Sequence, residues 1–329
     1  MLYKMENFAM KLTKNDLIGD LQAWAKAYFL HINTLNYSKN TILLYKRVIL
    51  TFIEYNRAFL DEMGIKDIKT THIVAYLQFL DEKACKSENR LKNRVSLSKS
   101  SKSAYIKVIR SFFAFITENN DENHTFDFAF KKIRIDNSKR EEKIVYLNED
   151  EIFRLCEFIE RQKGKKRDYN SYRNALLIKL MLHAGLRISE ALGVKLKDFK
   201  EQDEILCIKI FAKGGKEQNA YIDKAKINDE LDYFSNTAQL SPDELIMKTQ
   251  HGTALNRTSA FIIINRIYAK ALIEKRGLHL LRHTLAMRLT QKGVSVLVIQ
   301  KILRHSNINT TTIYAKATPQ DIANVLVGE

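Results

Sequence analysis

Two prolines in 329 residues, Pro242 and Pro319, leave almost the whole chain free to run as helix. Apolar residues fill that freedom with a helical period. Over 15–33 they fall at Leu17, Leu21, Trp24, Tyr28 and Phe29, which share one face. A second helix starts after Ser38, whose hydroxyl suits an N-cap, and carries Ile42, Tyr45, Ile49, Phe52 and Ile53. A third begins near Thr71 with Ile73, Val74, Leu77 and Leu80. A serine-rich, basic stretch over 85–102 reads as a loop, and a fourth helix follows with Tyr105, Val108, Ile109, Phe112 and Phe113.

The run KKIRIDNSKREEK at 131–143 is charged and weakly periodic, as an exposed linker would be. Helical periodicity resumes at Ile152 after an Asn148 cap, so the boundary is expected near residue 140, dividing the chain into 1–138 and 139–329. The length suits two domains of that size. In the second half, ILCIKIF at 205–211 and NAYID at 219–223 flank a turn containing Gly214 and Gly215, a β-hairpin pattern. From Asn256 onward the chain reads as helix in short pieces. The fold class expected is mainly α with a small antiparallel hairpin or sheet in the second half.

Lys and Arg number 54 against 38 Asp and Glu, a formal charge of +16. That excess favours a polyanionic partner, because each phosphate neutralised releases condensed counterions. Charge alone leaves DNA, RNA, an acidic membrane surface or a merely basic proteome open. The basic run RQKGKKR at 161–167 reads as a loop between helices, either a solvated turn or a phosphate contact through Lys163, Lys165, Lys166 and Arg167. Cys85, Cys156 and Cys207 are odd in number and widely spaced, so they suggest neither a disulfide framework nor a zinc site. The first residues lack the apolar core of a signal peptide, and no apolar run reaches the roughly 18 residues of a membrane span. A soluble, cytoplasmic protein is expected.

The polar residues of the second half are individually unremarked. Arg187, in HAGLRISEAL, has Glu190 three residues on, and the two read as a surface ion pair. Lys213 stands at the hairpin turn, where lysines are usually just solvated. His279 and Arg282, in HLLRH, share a helix face by their spacing of three. His305 follows in KILRHSN, and Tyr314 ends NTTTIY, where its ring could simply pack.

Taken together, GLRISEAL, AKGGKE, HLLRHTLA and LRHSNINTTTIY stand in one order and spacing. In this the chain resembles the tyrosine recombinases, particularly their Xer and phage-type integrase branches, over nearly its whole length. The resemblance implies an N-terminal four-helix core-binding (SAM-like) domain and an α-rich catalytic domain, which clamp double-stranded DNA between them. It also implies a role for each residue. Tyr314 is the nucleophile, forming a 3′-phosphotyrosyl link and freeing a 5′ hydroxyl. Arg187 and Arg282 bind the non-bridging oxygens at the attacked phosphorus, which suits permanently charged guanidiniums with paired donors. His279 accepts the tyrosine proton or adds a donor, His305 donates to the same oxygens, and Lys213 protonates the departing oxygen. Glu190 buttresses the pocket. A phenol with a pKa of ~10 needs such a cationic pocket to react at neutral pH. Because the phosphotyrosyl link conserves bond energy, no cofactor, ATP or metal is called for.

Further implications are four protomers exchanging strands through a Holliday junction at specific recombination sites, nucleoid association, and an accessory DNA translocase or directionality protein. Chromosome dimer resolution and mobile-element integration or excision both fit. A type IB topoisomerase-like relaxing enzyme shares the chemistry, and a catalytically inactive DNA-binding relative is the alternative from another class. The chain also departs from the family pattern. Where the family carries glycine before the second histidine, this chain has Arg304, which must meet a left-handed helix end some other way or contact phosphate itself. The 85–102 loop is longer than in compact Xer proteins, and the linker lacks their prolines. After Tyr314, Thr318, Pro319, Ile322, Val325 and Leu326 form a capped apolar helix pattern, which docks on a neighbouring protomer or folds back on its own domain.

Overall fold

The computed structural model describes residues 11–59, 63–86, 97–130, 144–211, 215–305 and 311. It falls into two compact units, Met1–Arg140 and Glu141–Glu329. Lys213, Tyr314, the 131–143 linker and the helix pattern after Tyr314 lie outside the described residues.

The first unit contains, among the described residues, the helices α1 (Leu17–Thr34), α2 (Lys39–Phe59), α3 (Thr70–Lys86) and α4 (Lys99–Asn119). Their starts follow local chemistry. The Asp16 carboxylate accepts from the Gly19 N–H, and the Ser38 and Ser98 hydroxyls accept from the Thr41 and Ser101 N–H groups. Trp24, Tyr28, Phe52, Tyr76, Phe112 and Phe113 fill the core, all under 3% exposed. Two phenols keep partners inside it, Tyr28 donating to Ser111 Oγ and Tyr76 to the Val48 carbonyl. Two expectations are corrected. Val74 is exposed rather than core, because its neighbour Ile73 takes the buried face. The 85–102 loop is shorter than expected, since α3 continues to Lys86 and Ser98 already caps α4.

The second unit begins with α5 (Glu149–Lys166), α6 (Tyr169–His183) and the single turn α7 (Ile188–Ala191). A three-stranded antiparallel sheet follows, in the order β1 (Phe199–Gln202), β2 (Ile205–Phe211) and β3 (Glu217–Asp223). The short α8 (Asn228–Asp232) leads to α9 (Arg257–Lys270), α10 (Leu280–Gln291) and α11 (Val296–Leu303). The expected hairpin is present as β2 and β3, with Ile208 opposite Ala220 and Leu206 opposite Ile222. Those four residues and Ile210 are buried, the alternation of a one-faced sheet. β1 was not expected, because Phe199–Gln202 is short, polar and largely exposed, and backbone pairing with β2 rather than side-chain pattern makes it a strand. Cys156 and Cys207 are free thiols, the second buried.

The basic run at 161–167 is not a loop. It forms the last turn of α5, with Arg167 ending the helix at φ 47°. The helix dipole explains why a basic run stays helical there: Glu149, Asp150 and Glu151 occupy the first turn, and Lys163, Lys165 and Lys166 the last. Lys165, Lys166 and Arg167 are exposed, but Lys163 is only 3% exposed. Its ammonium lies 2.5 Å from Glu230, 2.6 Å from Asp229 and 2.7 Å from Glu160, and Lys179 also reaches Glu230 at 2.7 Å. Burial disfavours the charge on Lys163, but these three carboxylates outweigh it and raise its pKa. Lys163 thus joins α5 to α8 and does not face a phosphate, a correction to its expected role. Lys163→Met should therefore lower the unfolding free energy by about 3 kcal/mol in a urea titration, the low end for a broken buried pair because Lys179 still holds Glu230.

Candidate active site

Three chain reversals build the site: the turn from α6 into α7, the start of α10, and the end of α11. At the first, α6 stops at His183, and Gly185 takes φ +61°, where the Leu186 N–H folds back to the Leu180 carbonyl. A Cβ on Gly185 would lie 2.9 Å from Leu303 Cδ2 and 3.0 Å from Leu285 Cδ2, so both backbone and packing require glycine. Arg187 follows at the start of α7. Its backbone N–H donates to Glu190 Oε2 at 2.8 Å, and one guanidinium nitrogen donates to Glu190 Oε1 at 2.7 Å. Its other terminal nitrogen donates to the Arg304 carbonyl at 3.1 Å. The expected surface ion pair is therefore half internal: Glu190 is 2% exposed in its side chain, Arg187 34%.

His279 precedes α10, and Arg282 lies in its first turn. The Arg282 guanidinium, 4% exposed, donates to the carbonyls of Gly185 and Leu303. At the end of α11, Arg304 adopts φ 53° and ψ 45°. A left-handed non-glycine residue costs on the order of 1–2 kcal/mol. The side chain of Arg304 turns inward, donating to Ile302 O at 2.7 Å, Gly185 O at 3.0 Å and Glu190 Oε2 at 3.1 Å. His305 follows. Its Nδ1 lies 2.8 Å from the hydroxyl of Thr311, itself 1% exposed, and its carbonyl accepts from Gln300 at 3.1 Å. With Thr311 donating, the imidazole proton sits on Nε2, the form able to donate onward.

The structure thus joins Arg187, Glu190, Arg282 and Arg304 through shared partners, with His305 next along the chain and within reach of the Arg282 and Arg187 charges. Gly185 O serves both Arg282 and Arg304, and the carbonyls of Leu303 and Arg304 serve Arg282 and Arg187. Lys165, Lys166 and Arg167, at the end of α5, share none of these partners. Sequence reasoning missed Thr311, one of three successive threonines with nothing to distinguish it, and Gly185, whose carbonyl accepts from Arg282 and Arg304.

The electrostatics are consistent with this crowding. Burial pushes the Glu190 carboxyl up, but the hydrogen bonds from Arg187 and the charges of Arg304 and Arg187 hold it below its ordinary range. Burial, then Arg282, Arg187, His283 and Arg304, pull His305 down to about 4. His279 is exposed as a residue, yet packing around its ring and the cations Arg257, Arg282 and Arg187 lower it too. Away from this cluster, burial brings His183 to about 4.

Two measurements test the arrangement. Gly185→Ala should destabilise the protein by about 1–3 kcal/mol in urea unfolding, from a left-handed backbone and the clash with Leu285 and Leu303. The second concerns pH. His183 and His305 titrate near 4 when folded and near ~6.5 when unfolded, so the unfolded chain binds protons that the folded chain refuses. Their contribution is intact above the unfolded value and is lost as pH falls from there towards 4. Urea midpoints recorded across that window should decline, less steeply in His305→Gln.

The family model described as "Phage integrase family" matches residues 145–321. A similar relative is the tyrosine recombinase XerH of Campylobacter jejuni, 32% identical over 225 residues. That alignment covers 67% of this chain and 62% of the relative, so the chain spans about three fifths of the length of that protein. The tyrosine recombinase of Pseudothermotoga lettingae is 28% identical over 300 residues, 89% of this chain and 92% of that one. Among solved structures, XerH site-specific recombinase bound to difH substrate superposes with a TM-score of 0.74 at 22% identity, covering 95% of this chain and 97% of that one, a likeness of fold. With more than half of its residues matched by the family model, the chain belongs to the phage integrase family.

Proposed function

We propose that this protein is a site-specific DNA recombinase that cleaves and rejoins double-stranded DNA through a covalent phosphotyrosyl intermediate. The observation that carries the reading is the pair Arg187 and Arg282, held by main-chain carbonyls and one carboxylate beside His305. Relatives named tyrosine recombinases and structures of recombinases bound to DNA support it. A phosphodiester under attack gathers negative charge on its non-bridging oxygens, and preorganised cations stabilise that charge without reorganising. Neutral His305 supplies a donor to the same oxygens. Exposed His279 takes the phenol proton or adds another donor.

Tyr314, nine residues after His305, is the nucleophile in this reading, and Lys213, between β2 and β3 in the chain, protonates the leaving 5′ oxygen. The bond to phosphorus from that oxygen breaks as the bond from the phenol oxygen forms. Reversal by an incoming 5′ hydroxyl rejoins the strand. Double-stranded DNA is the partner. Both the residues 1–138 and the residues 139–329 bind it, with Lys165, Lys166 and Arg167 as phosphate contacts. Four protomers act at paired recombination sites, with an accessory translocase or directionality protein in attendance. Relatives named XerH, XerC and XerD suit chromosome dimer resolution, while a transposon integrase among the structural neighbours keeps integration and excision in view. Among the described residues no helix is long and apolar enough to cross a membrane.

The test is covalent capture. Host DNA trapped on the denatured protein identifies the cleaved site, and a nicked suicide duplex of that sequence is then incubated with each variant. Wild type should accumulate an adduct that survives denaturation, and Tyr314→Phe should form none. Arg187→Ala and Arg282→Ala should each slow adduct formation by about 10²–10³, the loss expected for one preorganised donor to an oxyanion. An adduct formed by Tyr314→Phe would remove the nucleophile assignment. Relaxation of supercoils by a monomer, without exchange between sites, would favour the topoisomerase reading instead.

A further inference from the structure

Arg304 stands in a position that the backbone reserves for glycine, yet its side chain is buried. It ends α11 in the left-handed region, at φ 53° and ψ 45°, and its side chain is 5% exposed. One terminal nitrogen donates to the Ile302 carbonyl at 2.7 Å and, more loosely, to the Ala184 carbonyl at 3.4 Å. The other donates to the Gly185 carbonyl at 3.0 Å and to Glu190 Oε2 at 3.1 Å. The residue therefore reaches Arg187 by two routes. Its own carbonyl accepts from Arg187 at 3.1 Å, and Glu190, which it holds through Oε2, takes Arg187 through Oε1 at 2.7 Å.

We propose that Arg304 is a positioning residue for Arg187: its guanidinium holds the Glu190 carboxylate and the Gly185 carbonyl in place, and its left-handed backbone presents the carbonyl that orients Arg187. The inference rests on Arg187 acting at the scissile phosphate, as proposed above. It also answers which of two roles Arg304 plays. A phosphate contact needs donors open to solvent, whereas the terminal nitrogens of Arg304 face Glu190 and the ends of α6 and α11, and its Nε is buried. Glycine here would relax the backbone but leave Glu190 Oε2 with the Arg187 N–H and no second donor from α11. Lysine would restore the charge without the fork that spans carboxylate and carbonyl. The charge of Arg304 also helps keep Glu190 ionised.

The experiment uses the full chain and the nicked suicide duplex, under single-turnover conditions with enzyme in excess. Arg304→Gly should slow adduct formation by about ten- to a hundredfold, the scale of a small misplacement of a catalytic group. DNA affinity and its salt slope should stay as in wild type, and the melting temperature should show that the variant is folded. Arg304→Lys should recover part of the rate. The acid limb of the pH–rate profile should move to higher pH in Arg304→Gly, because Glu190 loses a cation that favours its ionised form. Combined with Glu190→Gln, Arg304→Gly should lose less than the product of the two single losses, since glycine keeps the backbone carbonyl and the lost guanidinium acts on Arg187 through that carboxylate.

Wild-type rates in Arg304→Gly would overturn the proposal, as would fully multiplicative losses in the double variant. A reduced salt slope, marking a lost phosphate contact, would also overturn it. If wild type forms no adduct, the recombinase reading falls and this inference with it. If wild type cleaves and Arg304→Gly matches it, only this inference falls.

Discussion

Two guanidiniums, those of Arg187 and Arg304, share one buried carboxylate, Glu190, and a third, that of Arg282, joins Arg304 on the Gly185 carbonyl. Backbone carbonyls also accept from these guanidiniums, and their source has a physical logic. The last turn of a helix leaves carbonyls without intrahelical partners and carries the negative end of the helix dipole. Gly185 and Ala184 lie at the end of α6, and Ile302, Leu303 and Arg304 at the end of α11. All five carbonyls face arginines. Two helix ends thus do the work of extra carboxylates while holding less negative charge.

That arrangement requires two helices to end sharply where the arginines lie. Gly185 does so with the usual residue and leaves no room for a Cβ between Leu285 and Leu303. Arg304 does so with an unusual one, and the strain of its backbone is offset by the hydrogen bonds of its side chain. The small apolar cluster of Leu285, Ala286, Ile299 and Leu303 packs α10 against α11 directly beneath these reversals. Packing, helix termination and charge compensation therefore converge on the same few residues. The low pKa of His305 follows from the same crowding: an imidazolium would add another cation to a partly buried cationic group.

Much of this was legible in the chain because its signals are local. The four helices of the first unit follow from apolar periodicity and from serine and aspartate caps, both read within a few residues. The β2–β3 hairpin follows from alternation. Arg187, Glu190, Arg282 and His305 were chosen from their motifs, and the structure brings those four together. What failed to show was non-local. The run at 161–167 looked like a loop because its composition is polar, but a helix C-terminus favours basic residues, and Lys163 found carboxylates on α5 and α8. β1 carries no strand pattern and exists through its pairing with β2. Thr311 looked no different from its neighbours until the fold set it against His305.

The sequence by itself determined a mainly helical chain with a hairpin in its second half, and the identity and order of the cationic residues, since spacing and side-chain chemistry are properties of the chain. Tertiary structure alone decided which charges are neutralised and by what. Arg304 is the clearest case. As a sequence feature it was a departure, either a strained turn or a phosphate contact. Its burial against Glu190 and Gly185 depends on α6, α7 and α11 meeting at one point, residues more than a hundred positions apart. Periodicity and composition describe neighbours along the chain, and the neutralisation of a buried charge depends on neighbours in space.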